Sequence, residues 1–190
     1  TQFAATFGHR GGSGSVTIDG TGNETLTGET QAIYQQFASL VLPEGEVSGG
    51  FKISQQGTGG ALASGVTDEY IYILVAQRAR FKDELDYGNW TLKLKGQRSE
   101  GTEETNVLSL TDDSKDTSYT ATNSIYGKKF NIVSGSAGTV HTSSAHKTYG
   151  FYYPEAGFMI FSGAELSASI PGQSASLATT SSFGASLTAG

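Results

Sequence analysis

Three histidines are the side chains of this sequence best suited to acid–base or metal chemistry near neutral pH. His141 and His146 lie five residues apart in a Ser/Thr-rich stretch. That spacing fits neither successive turns of a helix nor alternate positions of a strand, so we interpret the stretch as a solvated loop and not as a metal-binding pair. His9 stands beside Arg10, and this pattern favours a hydrogen-bonding or exposed imidazole over a general base. The chain has no Cys, which excludes thiolate metal sites, disulfides and a cysteine nucleophile.

A cluster of acidic residues shows part of the pattern of a calcium-binding loop. Asp112, Ser114 and Asp116 would supply oxygen ligands at its first, third and fifth positions. Thr117 stands where such a loop requires Gly, and Asn123 stands where it requires Glu. The sequence therefore predicts an acidic surface loop at this point and no calcium site.

A second charged cluster combines arginines with carboxylates. Two nearby carboxylates can act as acid and base in glycoside hydrolysis, but the neighbouring Arg and Lys side chains indicate ion pairing. We interpret residues 78–90 as a structural corner, in which the arginines pair with carboxylates and an aromatic side chain anchors the following strand. The candidate residues of this corner are Arg78, Arg80, Asp83, Asp86 and Trp90.

The glycine-rich segments do not complete any nucleotide-binding motif. Gly11–Gly14 and Gly57–Gly60 lack the dinucleotide fingerprint, and the sequence has no Gly-Lys-Ser/Thr phosphate loop. It also has no Gly-x-Ser-x-Gly nucleophile elbow. We therefore expect no catalytic residue, cofactor or metal, although a site assembled from distant loops would leave no local motif.

The hydrophobic pattern predicts one helix followed by short strands. Apolar residues recur at helical spacing from Glu29 to Leu42, and Pro43 ends the pattern. The uncharged run Tyr70–Ala76 predicts a buried strand. The remaining predicted strands are Phe51–Ile53, Trp90–Leu94, Asn106–Leu110, Phe130–Val133, Tyr149–Tyr153 and Phe158–Phe161, with a tight turn at Pro154–Gly157. These elements indicate an α+β fold with a mainly antiparallel β-sheet or sandwich, one amphipathic helix and long Gly/Ser-rich loops.

Composition supports this fold class and narrows the range of partners. The 190 residues include 26 Gly, 23 Ser and 22 Thr, which favour strands and loops over long helices. The net charge of -6 means that the chain as a whole has no positive field that would attract nucleic acid or an anionic membrane.

We expect a Gly-rich N-terminal arm or loop over residues 1–28, a main β-rich domain over 29–165 and a small-residue C-terminal arm over 166–190.

Aromatic residues are concentrated between positions 149 and 161, and apolar residues are spaced along the C-terminal segment. Neighbouring aromatic side chains of a strand point to opposite faces, so we expect part of this aromatic surface to be free for a partner. The candidate interface residues are Tyr152, Tyr153, Phe158, Ile170, Leu177, Phe183 and Leu187.

Several blocks of the sequence together resemble one family. They are Phe7–Arg10 with Gly12–Ser15, Ile33–Tyr34, Arg78–Asp86 with Gly88–Trp90, and Tyr149–Gly157. In these blocks, scattered over residues 3–165, the chain resembles virion structural proteins of T4-like myoviruses that infect marine cyanobacteria. It departs from the family pattern at Tyr87, where the relatives have Pro.

The resemblance implies a tail, baseplate or neck component without catalytic residues. Its partners would be other virion proteins and copies of itself, and it would be assembled into the virion in the cytoplasm of the host bacterium. Two other functions remain open. One is a carbohydrate- or receptor-binding module of a phage particle, because exposed aromatic and amide side chains can bind sugars. The other is a phage-borne hydrolase domain.

Overall fold

The computed structural model describes residues 2–18, 20–21, 24–26, 28–53, 67–95, 107–117, 122–141 and 147–170. Nine of its strands form one antiparallel sheet, as the fold-class prediction required. The strands are β1 (Phe3–His9), β2 (Val16–Ile18), β3 (Glu24–Leu26), β4 (Tyr70–Ala76), β5 (Leu92–Leu94), β6 (Leu108–Asp112), β7 (Thr122–Ser124), β8 (Gly127–Ser136), β9 (Thr139–Val140), β10 (Gly150–Tyr153) and β11 (Phe158–Ser162). The helices are α1 (Glu29–Val41) and α2 (Gly163–Ser169), with single helical turns at Val47–Gly49 and Arg78–Arg80.

The main sheet has the strand order β1-β4-β11-β10-β8-β6-β5, and β7 and β9 both pair with β8. Strands β2 and β3 form a separate hairpin. The predicted strand Tyr70–Ala76 is confirmed, and it lies between β1 and β11. The predicted strand at Phe51–Ile53 is wrong, because the N–H groups of Phe51 and Ile53 bond to side-chain oxygens and not to a neighbouring strand. Its Ile71 and Ile73 are at most 1% exposed.

Helix α1 confirms the helical periodicity of the sequence and covers one face of the sheet. Its buried side chains include Tyr34, Ala38 and Val41, which recur every three or four residues. Glycine is required where the helix crosses β1, because a Cβ on Gly8 would lie 3.0 Å from the backbone of Tyr34. The helix ends before Pro43, which cannot continue the hydrogen-bond ladder.

Both faces of the sheet are covered by apolar side chains. One core contains α1 residues together with Phe51, Ile73 and Ile160. The other core brings Tyr72 and Leu74 of β4 together with Leu92 of β5. Because β4 and β5 lie far apart in the strand order, these contacts show that the sheet curls around the second core.

A buried polar network joins α1 to the loop segments on its face of the sheet. The Tyr34 hydroxyl donates a hydrogen bond to the Asp68 carbonyl oxygen (2.7 Å) and accepts one from the Phe51 N–H (3.0 Å). The Asp68 carboxylate accepts hydrogen bonds from the Ile53 N–H (2.6 Å) and the Ser162 hydroxyl (2.5 Å). Burial raises the pKa of Tyr34 above its ordinary value.

Parts of both predicted arms belong to the described fold. The prediction of an arm or loop over residues 1–28 is wrong for Phe3–His9, which pairs with β4 along its whole length. The C-terminal arm does not begin at 166, because Leu166 and Ile170 are each 5% exposed and belong to the second core. None of the helices in the described ranges is long and apolar enough to cross a membrane.

Candidate interaction surface

Strand β1 forms one outer edge of the main sheet. Ladder bonds to the neighbouring strand involve its even-numbered residues. The bonds at the two ends of the pair show this, because the Arg10 N–H donates to the Glu69 carbonyl oxygen (2.7 Å) and the Gln77 N–H donates to the Gln2 carbonyl oxygen (2.9 Å). In an antiparallel pair, alternate residues turn their backbone groups to the other side. The N–H and C=O groups of Phe3, Ala5 and Phe7 therefore point away from β4.

Residues 3–8 of this edge lack the local sequence features that normally prevent strand addition. Residues 3–8 include no charged side chain and no Pro, and each pairs one-to-one with β4 without a bulge. Its first three residues are exposed, and the Phe3 side chain is 43% exposed. At the opposite edge, β5 has only three residues, and Lys93 lies within it. The two edges of the sheet are thus chemically unlike.

A second exposed apolar feature lies at the tip of the β7–β8 hairpin. Ile125 is 67% exposed and Tyr126 is 40% exposed. Both border an open recess of about 570 Å³, which is also lined by the side chains of Asp83, Glu84 and Glu155. Lys128 forms an ion pair with Glu84 (3.4 Å), so the acidic wall of this recess has a cation beside it.

A smaller groove of about 280 Å³ runs between the end of α1 and this hairpin. The Lys129 ammonium lies over the Phe151 ring in this groove, 4.4 Å from the ring centroid. Burial lowers the pKa of Lys129, and Glu46 on the opposite wall partly offsets this.

The predicted corner is folded differently from the sequence interpretation. Arg78 lies over the Phe81 ring (4.5 Å to its centroid) and donates a hydrogen bond to the Phe81 carbonyl oxygen. Within the described ranges, neither Arg78 nor Arg80 forms an ion pair with Asp83 or Asp86, so that part of the prediction is wrong. Both arginines are largely solvent-exposed, which makes such pairs weak.

Buried carboxylates hold the corner instead. Asp112, which is fully buried, accepts hydrogen bonds from the Gly88 N–H at both oxygens (3.0 and 2.8 Å). Asp113 accepts bonds from the backbone and side-chain nitrogens of Asn131. The prediction of an acidic surface loop is therefore wrong for Asp112 and Asp113, whereas the turn that follows them is half-buried or exposed. The Trp90 ring packs against the edge of Tyr152, at 5.6 Å between centroids and 77° between planes.

Four predicted interface residues lie inside the chain's own core. Tyr152 and Tyr153 are each 1% exposed, Phe158 is 7% exposed and Ile170 is 5% exposed. The prediction that they face a partner is wrong, because strand alternation places Tyr152, Tyr153 and Phe158 on two faces that are both covered, and Ile170 packs into the second core after α2. The other three predicted residues, Leu177, Phe183 and Leu187, lie outside the described residues.

The histidines do not form a catalytic or metal-binding group in the described parts of the chain. The His9 ring stacks on Tyr70 and its Nδ1 accepts the Gly11 N–H (3.0 Å), as expected for a structural imidazole. His141 contacts the Ser134 hydroxyl (3.2 Å), and His146 lies outside the described residues. The described ranges contain no group of three His, Cys, Asp or Glu side chains placed to hold a metal ion.

The β1 edge is a candidate interaction surface that sequence reasoning missed. The alternating, uncharged pattern of Phe3, Ala5 and Phe7 was the available signal, and the surrounding glycines obscured it.

Comparisons with known protein families, with curated proteins and with solved structures gave no match for this chain.

Proposed function

We propose that this chain is a structural subunit of a bacteriophage virion, in the tail, baseplate or neck, and that it acts by binding to neighbouring subunits. The resemblance in sequence supports the virion setting. The β1 edge is the observation that supports assembly, because no other strand of the described ranges pairs with its outward side. Outward backbone groups on an uncharged strand form a template for another strand. Main-chain hydrogen bonds would provide affinity, and the exposed side chain of Phe3 would add apolar contact area.

Substitution at Ala5 tests this role without disturbing the chain's own ladder. Ala5→Pro removes an N–H that points away from β4, a position where edge strands accept proline. Ala5→Thr is the matched control, because it retains the N–H and favours the strand. A tagged chain should be incorporated into particles during infection as wild type or as Ala5→Thr, and should lose at least tenfold in incorporation as Ala5→Pro.

Both variants must melt within a few degrees of the wild type for this comparison to be valid. Incorporation of Ala5→Pro at the wild-type level would overturn assembly through β1. An antibody against the chain should label the tail, baseplate or neck of particles in electron micrographs. Absence of the chain from purified particles would overturn the virion role.

A carbohydrate- or receptor-binding module is the second candidate, and the hairpin tip favours it. Tyr152 and Tyr153 are buried and Trp90 is half-buried, so these rings offer little surface for a sugar to stack on. Tyr126 is exposed beside the carboxylates of the acidic recess, where it combines a stacking surface with hydrogen-bond acceptors. A glycan screen should then give a hit that Tyr126→Ala abolishes. Failure of every glycan to bind would remove this candidate.

A further inference from the structure

We infer that the β1 edge binds β1 of a second copy of this chain, in an antiparallel pair with Ala5 opposite Ala5 of the partner. This inference rests on the proposed function and names the occupant of the same surface. It predicts a two-fold dimer in which the main sheet continues from one subunit into the other.

The hydrogen-bonding pattern of the edge restricts the register to odd–odd pairs, and centring the pair on Ala5 matches the three outward residues of β1 with one another. Only odd-numbered residues turn their backbone groups outward, so a partner strand must pair odd residues with odd residues. With Ala5 on the two-fold axis, Phe3 lies opposite Phe7 of the partner, and Phe7 lies opposite Phe3 of the partner. Each such pair exchanges two hydrogen bonds, so the outward groups of Phe3, Ala5 and Phe7 are all satisfied.

The side chains are compatible with the same register. Residues that pair across strands share a face of the sheet, so the exposed Phe3 would be placed beside Phe7 of the partner. Phe7 already packs against Tyr72 at 5.3 Å between ring centroids, and Phe3 would extend this aromatic row. Ala5 places only methyl groups on the axis, and the strand sets no like charges against each other.

The properties of the opposite edge, β5, favour a two-fold β1–β1 pair over a head-to-tail β1–β5 contact between copies. Pairing β1 with β5 of another copy would use a strand of three residues with Lys93 at its centre. That contact would also continue from copy to copy without closing, whereas the β1 pair closes on itself. A two-fold pair therefore uses the open edge and leaves the protected edge in solvent.

Disulfide trapping tests the register, because the chain has no cysteine of its own. In the inferred pair the two Ala5 Cα atoms lie about 5.5 Å apart, within the range that a disulfide spans. Ala4 lies opposite Thr6 of the partner, so two Ala4 Cα atoms are about 8 Å apart, beyond that range. Ala5→Cys should cross-link to a dimer under mild oxidation, and Ala4→Cys should give less than a tenth as much.

The oligomeric state of the uncrosslinked chain completes the test. A single strand pair buries a small area, so sedimentation should show dimers at protein concentrations on the order of 100 µM. A wild-type chain that stays monomeric, equal cross-linking by the two variants, or stronger cross-linking through Ala4→Cys would each overturn the inference. Ala5→Pro could be excluded from particles while Ala5→Cys forms no cross-linked dimer within particles. That combination would mean that the edge binds a different virion protein. In that case the proposed function stands and self-pairing fails.

Discussion

Removing a single oxygen atom from Tyr34 should strongly destabilise the fold. The Tyr34 ring is 2% exposed, and its hydroxyl joins α1 to two loop segments through Asp68 and Phe51. Tyr34→Phe keeps the ring and its packing but leaves the Asp68 carbonyl and the Phe51 N–H without this partner. The change therefore isolates the hydrogen bonds from the hydrophobic core.

The expected loss follows from the two groups left behind. A buried polar group that loses its partner costs about 1–3 kcal/mol, so Tyr34→Phe should lower the free energy of unfolding by about 2–6 kcal/mol. No large cavity forms, because only the hydroxyl is deleted, and a packing contribution to the loss is small. Domains of this kind are stable by about 5–15 kcal/mol, so the loss would be a large part of the total.

Urea unfolding followed by tryptophan fluorescence measures this loss, because Trp90 is the one tryptophan and packs against Tyr152. Tyr126→Phe is the matched control, since it makes the same chemical change on a side chain that is 40% exposed. The control should unfold like the wild type. A loss below about 0.5 kcal/mol in Tyr34→Phe, or an equal loss in the control, would refute the network as a source of stability.

The other predictions concern the core, pH and metals. Ile73→Asp should lower the free energy of unfolding by at least about 3 kcal/mol, because it buries an unpaired charge. Ile125→Asp, at the exposed hairpin tip, should lower it little. Similar urea midpoints for the two variants would contradict this. Burial raises the pKa of Tyr152 and Tyr153 above the ordinary tyrosine value of 10. Just above pH 10 these two side chains therefore ionise in the unfolded chain but not in the folded one. The contribution of these two tyrosines to the free energy of unfolding should be complete below pH 10. Above it, this free energy should fall by up to about 1.4 kcal/mol per pH unit for each tyrosine. Urea midpoints that stay constant from pH 9 to 11 would contradict this. A chelator should leave the melting temperature unchanged, and a shift of several degrees would reveal a metal site.

The helix and the central strand could be predicted from the sequence because local pattern determines them. The periodic apolar residues of α1 and the uncharged run of β4 each need only a surface to pack on. The prediction of the interface residues was wrong because their burial depends on residues distant in sequence. Alternation correctly separates Tyr152 from Tyr153, but no local pattern shows that both faces of their strand are covered.

Strand β1 and the corner were missed or misassigned because their partners are distant in sequence. Phe3 pairs with Ala76, and this pairing, more than local propensity, makes the glycine-flanked segment a strand. Asp112 is buried because the Gly88 N–H satisfies its carboxylate, although both residues look like ordinary loop positions in the sequence.

The position of β4 in the sheet also has a consequence for the time course of biosynthesis. Its two neighbours come from opposite ends of the described fold, since β1 is translated before it and β11, ending at Ser162, long after it. Ribosomes add about 5–20 residues per second, so the roughly 86 residues between Ala76 and Ser162 take about 4–17 seconds to make. During that interval the most apolar strand of the nascent chain has a neighbour on one side only. Fast translation or chaperone binding over this stretch would therefore increase the yield of folded subunits, and a ribosome stalled there would expose a strand prone to aggregation.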